Sequence, residues 1–364
     1  MIIGILTVPF NNNYGGYLQT FALTQILSRM GHQTILIDRK QELKMSLYEW
    51  LKSYLSNRII GKKERFYNQK SMEYYHFLKG YKMQPFVDKN LSSKTLPIYS
   101  TNDFKILSNI HFDAVIVGSD QVWRPKYVPN IYEYFLEYIP QNIWRISYAA
   151  SFGTDTIEYD KQMLEHCKKL LLSFKSVSIR EKSGLNLLNR YFSYAKGQTV
   201  LDPTLLLSQQ DYIKLFDKQL VNQKKWTFAY ILDRNKQKED IIKKISKETS
   251  DSLFDIMNID KYSPYYSIED WLKGIFYATT VITDSFHGTV FSILFNKPFY
   301  VIGNKKRGNS RIIDLLSTFK LNDRLINSVK DIDNVINNIN WTFVNKQLNQ
   351  ERKKSLQFLK EALS

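Results

Sequence analysis

The chain has 364 residues, 43% of them apolar, and a formal net charge of +16. That length and apolar content can bury a large core, and two cores more readily than one. A single cysteine, Cys167, excludes internal disulfides and cysteine-based zinc sites, while the positive charge narrows the partners to anions: nucleic acid, an anionic membrane surface or phosphorylated small substrates.

The opening segment Ile2–Val8 predicts a strand rather than a signal peptide, because it has no basic leader and no cleavage site. Tyr17–Met30 carries Leu18, Phe21, Ala22, Gln25 and Ile26 at helical spacing, Gly31-His32 ends that helix, and Thr34–Ile37 predicts a second strand. A strand–helix–strand unit favours a parallel sheet. Gly15-Gly16 mark its first turn without forming G-x-G-x-x-G, so a dinucleotide fingerprint is missing.

Lysine and arginine outnumber glutamate through residues 39–82, and residues 44–83 predict helices rich in lysine and aromatics. Met45, Leu47, Trp50, Leu51, Tyr54, Leu55, Ile59 and Ile60 occupy too much of a helix circumference for one clean apolar face. The preferred reading is therefore an insertion packed on its own domain, over peripheral contact with an anionic membrane surface. Zinc-finger spacing, a helix-turn-helix signal and an RNP-type strand are all missing, so no nucleic-acid partner is expected. No window is long and apolar enough to span a membrane, and a cytoplasmic protein is expected, in reach of the inner membrane face.

Further along, Ala114–Gly118 predicts a buried strand running into Ser119-Asp120-Gln121-Val122-Trp123, where an ordinary helix N-cap is the base-rate reading and Trp123 a packing residue. Ile146–Ala150 and Val177–Ile179 predict further strands. A second set follows at Phe228–Leu232, Phe254–Met257, Thr280–Ile282 and Phe299–Ile302, with helical patterns between. Val344, Leu348, Leu356, Leu359 and Leu363 predict a closing amphipathic helix. The division expected is residues 1–170 with a basic helical insertion near 40–83, residues 171–345, and a helix at 346–364 packing back on the body.

The stretch from Val281 to Phe295 carries the chemistry. An apolar run stops at Asp284, a helical pattern begins after Gly288, and His287 lies between them. Ligands of α/β proteins sit in such strand–turn–helix junctions, where an imidazole moves protons near neutral pH beside a helix N-terminus suited to anions. Arg180, at the end of Val177–Ile179, is a candidate anion clamp, the alternative being a simple pair with Glu181 or Asp202. Arg307 and Arg311 lie in a basic loop after Phe299–Ile302, which should face the same edge as His287. His32, His76, His111 and His166 share no ligand spacing and read as structural.

Six segments taken together resemble the polysaccharide pyruvyl transferase family. They are Asn13-Tyr14-Gly15-Gly16-Tyr17-Leu18-Gln19, Val117-Gly118-Ser119-Asp120-Gln121-Val122-Trp123, Tyr148-Ala149-Ala150-Ser151-Phe152-Gly153, Ser178-Ile179-Arg180-Glu181-Lys182-Ser183, Leu201-Asp202-Pro203-Thr204-Leu205-Leu206 and the Asp284–Gly288 loop. The resemblance implies an α/β protein of two Rossmann-like domains in a GT-B-like arrangement with a ligand cleft between them. It also implies transfer of a pyruvyl group from phosphoenolpyruvate to two hydroxyls of a sugar, as a cyclic ketal on an exopolysaccharide or capsule precursor such as a lipid-linked oligosaccharide. No cofactor and no metal is required. The residues implied as catalytic are His287, Arg180 and Asp120; those implied as substrate-binding are Gly15, Gly16, Gln19, Ser119, Gln121, Asp284, Ser285, Gly288 and Arg311.

One departure stands out. The family's usual loop reads Ser-x-Arg-Leu-His-Gly, and Ser285-Phe286 stand where Arg-Leu is expected. Arg307, Arg311 or a lysine of the basic region is left to grip the donor, and lysine lacks the bidentate fork. Two rival readings are a glycosyltransferase using a nucleotide-activated sugar and a non-catalytic member of a glycan assembly complex.

Overall fold

A computed structural model describes residues 1–41, 69–217, 225–260, 263–304, 307–335 and 338–364. The middle of the basic insertion, and with it the expectation of a membrane-facing or self-packed helix there, lies outside the described residues.

The first half runs β1 (Ile2–Leu6), α1 (Tyr14–Arg29), β2 (Gln33–Leu36), α2 (Gln69–Gly80), α3 (Gln84–Asn90), β3 (Ala114–Val117), β4 (Trp144–Ala150), α4 (Lys161–Leu171), β5 (Phe174–Ile179), α5 (Lys182–Tyr191) and β6 (Gly197–Thr199). After α6 (Gln209–Ile213) the second half runs β7 (Trp226–Tyr230), α7 (Lys236–Thr249), β8 (Ser252–Asp255), α8 (Ile268–Tyr277), β9 (Thr280–Thr283), α9 (Phe286–Leu294), β10 (Phe299–Ile302), α10 (Ser310–Thr318), β11 (Leu325–Ile326) and α11 (Trp341–Ala362). Two sheets result, ordered β2-β1-β3-β4-β5-β6 and β11-β10-β9-β7-β8, and their strands pair in parallel. β3 and β9 are buried at every residue, as strands covered by helices on both faces must be. This is the expected pair of Rossmann-like halves in a GT-B arrangement.

The first sheet extends past the expected boundary at residue 170, since β5 and β6 add to the free edge of β4. The physical reason is chain direction: a helix leaving β4 returns the chain parallel to it in the same sheet. The short strands β6 and β11 have too few apolar residues to be read from a pattern. The closing helix starts at Trp341, earlier than residue 346, and returns to the first half. There Ser355 Oγ accepts from the Leu201 amide at 2.9 Å, and Phe358 packs on Tyr148.

The halves share one core. Tyr14 of α1 stacks on Trp271 of α8 at 5.4 Å, and its hydroxyl donates to the Tyr266 carbonyl at 3.0 Å. Tyr212 contacts Phe21 on one side and Phe291 on the other. Every residue of α9 is buried, as expected of a helix apolar all round. The first turns of α1 and α9 thereby face each other across the junction.

Candidate active site

Asp284 fixes the start of the α9 loop. Its Oδ1 accepts from the Leu232 amide at 2.7 Å, and its Oδ2 accepts from the Asp233 amide, Lys238 Nζ and Asn304 Nδ2 at 3.1, 2.6 and 2.9 Å. These bonds tie together the carboxyl ends of β7, β9 and β10. Asp284 was expected to touch substrate. Instead its charge is consumed within its own half by the buried Lys238 ammonium.

The helix begins three residues earlier than its sequence pattern, at Phe286. Ser285 caps it by accepting from the Gly288 amide, so the two are cap and capped turn. Gly288 itself is held close to β9: a β-carbon there would meet Thr283 Oγ1 at 2.2 Å. His287 consequently projects from the first helical turn toward α1. A β-carbon at Gly15 would sit 1.9 Å from its Nδ1, so only glycine admits the ring.

The other ring nitrogen faces Asp202. Nε2 lies 3.6 Å from Asp202 Oδ2, an ion-pair distance longer than a hydrogen bond, and is sealed from solvent with no hydrogen-bond partner. The same Oδ2 accepts from Ser119 Oγ at 2.8 Å and Arg180 Nη1 at 3.0 Å. Oδ1 accepts from the amide and hydroxyl of Thr204. Burial alone would raise the Asp202 carboxyl, but His287, Arg180 and Thr204 outweigh it and hold it well below the usual range. Asp202 was expected only as a pairing partner of Arg180 and not as a site residue. Its signal was Asp-Pro-Thr, where Pro203 opens a single 3-10 turn that Asp202 caps.

Arg180 emerges from β5 into three carboxylates. Asp202, Asp120 and Glu181 lie 3.0, 3.5 and 3.6 Å from its nitrogens, and they hold its charge against the burial that opposes it. Even so, Nε and Nη2 have no hydrogen-bond partner. Asp120 does not cap a helix. It adopts a left-handed φ of 80° just beyond β3 and bridges to Ala150, whose neighbour Ala149 is itself at φ 52°. Strained non-glycine residues of this kind cluster at functional sites. Trp123 packs in the core on Phe135 as expected.

Arg311 answers the missing arginine. Its guanidinium carbon lies 5.8 Å from the centre of the Phe286 ring, and that of Arg180 lies 4.3 Å away. Buried beside a like charge, Arg311 is pushed down to about 10, by burial first and Arg180 second. Its Nε also lacks a partner, while Nη2 donates to the Arg307 carbonyl. Arg307 instead pairs with Asp233, and Lys79 of the basic region donates to the Asp260 and Ser263 carbonyls.

Two openings reach this cluster. A cleft of about 440 Å3 between the halves is lined by Gly16, Asp120, Gln121, Tyr127, Tyr230 and Arg307 among others. A second opening of about 410 Å3 under α10 and α11 is lined by Arg180, Glu181, Asp202, Phe286 and Arg311 among others. Of the remaining sequence candidates, Gln19 is buried in bonds to Thr7, Thr20 and the Gly16 carbonyl. Ser119 serves Asp202, and Gln121 accepts from Arg124 at the cleft wall. Among the described residues, no group of three or more His, Cys, Asp or Glu is gathered to hold a metal ion.

A sequence profile of the polysaccharide pyruvyl transferase family matches residues 13–306, the span that contains every cluster residue but Arg311. The chain belongs to this family. No curated protein matches the sequence. Among solved structures it is similar to a putative UDP-N-acetylglucosamine 2-epimerase from Listeria monocytogenes, at 9% identity and TM-score 0.53, covering 98% of this chain and 90% of that one. It is also similar to the UDP-GlcNAc 2-epimerase from Neisseria meningitidis bound to UDP-GlcNAc, at 11% identity and TM-score 0.52, covering 100% and 99%. An alpha-glucosyltransferase in complex with UDP and a 13-mer DNA is similar at 9% identity and TM-score 0.50, covering 99% and 95%. These likenesses are to the fold. No helix among the described residues is long and apolar enough to cross a membrane.

Proposed function

We propose that this member of the family transfers a pyruvyl group from phosphoenolpyruvate to two hydroxyls of a sugar in a surface-glycan precursor. The supporting observation is the pair of buried guanidiniums, Arg180 and Arg311, with unpartnered N–H groups around Phe286. Buried N–H groups without acceptors are costly even beside carboxylates, and the donor brings both a carboxylate and a phosphate to accept from them. Arg311 then supplies the fork that the loop lacks where Ser285 stands.

In this reading the acceptor sugar enters the cleft beside Gly16 and Asp120, a lipid-linked oligosaccharide at the inner membrane face being one such acceptor. His287, held between Gly15 and Asp202, takes the proton of the attacking hydroxyl, and the Asp202 charge stabilises the imidazolium that forms. Arg180 and Arg311 take up charge on the departing phosphate. No metal or redox partner enters the scheme.

The rival donor is a nucleotide-activated sugar, favoured by the epimerase bound to UDP-GlcNAc and the glucosyltransferase bound to UDP. The test is incubation of the purified chain with phosphoenolpyruvate and a glycan-lipid extract of the source cells. Release of phosphate together with acid-labile, glycan-bound pyruvate is expected. Glycosyl transfer from a nucleotide sugar, with no bound pyruvate, would replace this reading by its rival.

A further inference from the structure

Ketal formation needs a proton donor and a proton acceptor at the reacting carbon at the same time. The enol methylene must gain a proton as a sugar hydroxyl loses one, and a single imidazole cannot stand at both places. His287 lies on the Gly15 side, whereas the donor-gripping arginines line the opening under α10 and α11.

We infer that Glu181 is the acid that protonates the donor's methylene carbon. This rests on the pyruvyl-transfer reading and deepens it. Glu181 follows Arg180 directly and lines the same opening, beside Arg311 and Phe286. Its Oε1 accepts from Ser151 Oγ at 2.6 Å, which fixes the carboxyl plane. Its Oε2 is buried with no hydrogen-bond partner, 3.6 Å from Arg180 Nε, which is also unpartnered. A free carboxyl oxygen next to a free guanidinium edge is a place for a bound donor whose anion takes the Arg180 edge. Burial raises the Glu181 carboxyl above its usual value, against the pull of Arg180. That direction favours the proton-carrying form more than in an ordinary glutamate.

The balance is complete without another reactant. Glu181 gives its proton to the methylene, which becomes the methyl group, and the neighbouring carbon turns electrophilic. The first sugar oxygen bonds to that carbon and yields its proton to His287. Phosphate departs with the carbon–oxygen bonding pair and takes the His287 proton. The second sugar oxygen then bonds to the same carbon, and its proton restores Glu181. The two hydroxyl protons end on the methyl group and on phosphate.

The test pairs two readouts on wild type, Glu181→Gln and Glu181→Asp. The first is the rise in melting temperature with phosphoenolpyruvate. The second is ketal-bound pyruvate in the glycan of cells lacking the gene and complemented with each form. The expected result is a similar melting rise in all three. Glycan pyruvate should fall about 10²–10⁴-fold with Gln and return in part with Asp, which retains the acid. Wild-type pyruvate levels with Gln would overturn the assignment, as would loss of the melting rise together with the product, which would make Glu181 a binding or structural group. No melting rise and no glycan pyruvate with wild type would overturn the donor reading itself, and this inference with it.

Discussion

Arg180 of the first half and Arg311 of the second converge on a single phenyl ring, that of Phe286, at 4.3 and 5.8 Å from its centre. The two charges differ in what holds them. Arg180 is embedded in Asp202, Asp120 and Glu181, while Arg311 is pushed down to about 10 by burial and by Arg180. Their alanine variants should therefore part company. Arg180→Ala leaves buried carboxylates uncompensated and is expected to lower stability by about 3–5 kcal/mol. Arg311→Ala relieves a like-charge contact and is expected to keep or raise the unliganded melting temperature. Denaturant unfolding of both variants reads the contrast directly.

Asp202 sets an acid-side dependence. Its folded carboxyl titrates well below the unfolded value, so its contribution is present in full above about pH 3.9 and is lost as pH falls toward its folded value. Urea midpoints followed downward from pH 6 should drop for the wild type below about pH 4. In Asp202→Asn that part of the drop should be missing, on a lower overall stability.

Gly15 tests the placement of the imidazole. Gly15→Ala suits a helix by propensity, yet its β-carbon would fall 1.9 Å from His287 Nδ1. The expected result is a displaced ring and a loss of glycan pyruvate of 10²-fold or more, as for misplaced catalytic groups generally. Gly16→Ala meets nothing within 4 Å and should leave the melting temperature near wild type.

Asp284 should behave as a structural residue. With Lys238 and three further donors around it, Asp284→Ala is expected to cost about 3–5 kcal/mol. Folded protein recovered at low temperature should still show the melting rise with phosphoenolpyruvate. Loss of that rise without loss of stability would return Asp284 to the ligand site.

The legible part of this molecule was its strand–helix alternation, because buried parallel strands such as Ala114–Val117 and Thr280–Thr283 are short apolar runs between polar turns. His287 and Arg180 were legible as polar residues at the ends of such runs. Asp284 could not be sorted in the same way, since a carboxylate at a strand end reads alike whether it binds a ligand or ties three strands together. Asp202 and Glu181 were not singled out because their roles arise from contacts far apart in the chain: Asp202 with His287, and Glu181 with Ser151. Arg311 was expected at the His287 edge as a replacement for the loop arginine, but its meeting with Phe286 needed the fold.

The central claim is that the paired guanidiniums grip phosphoenolpyruvate, and calorimetric titration of the purified chain tests it most directly. Wild type should bind phosphoenolpyruvate, and Arg311→Ala should bind it about 10–150-fold more weakly, the loss of a charge-assisted hydrogen bond. Heat from UDP-GlcNAc with none from phosphoenolpyruvate, or equal phosphoenolpyruvate affinity in the two proteins, would contradict the account.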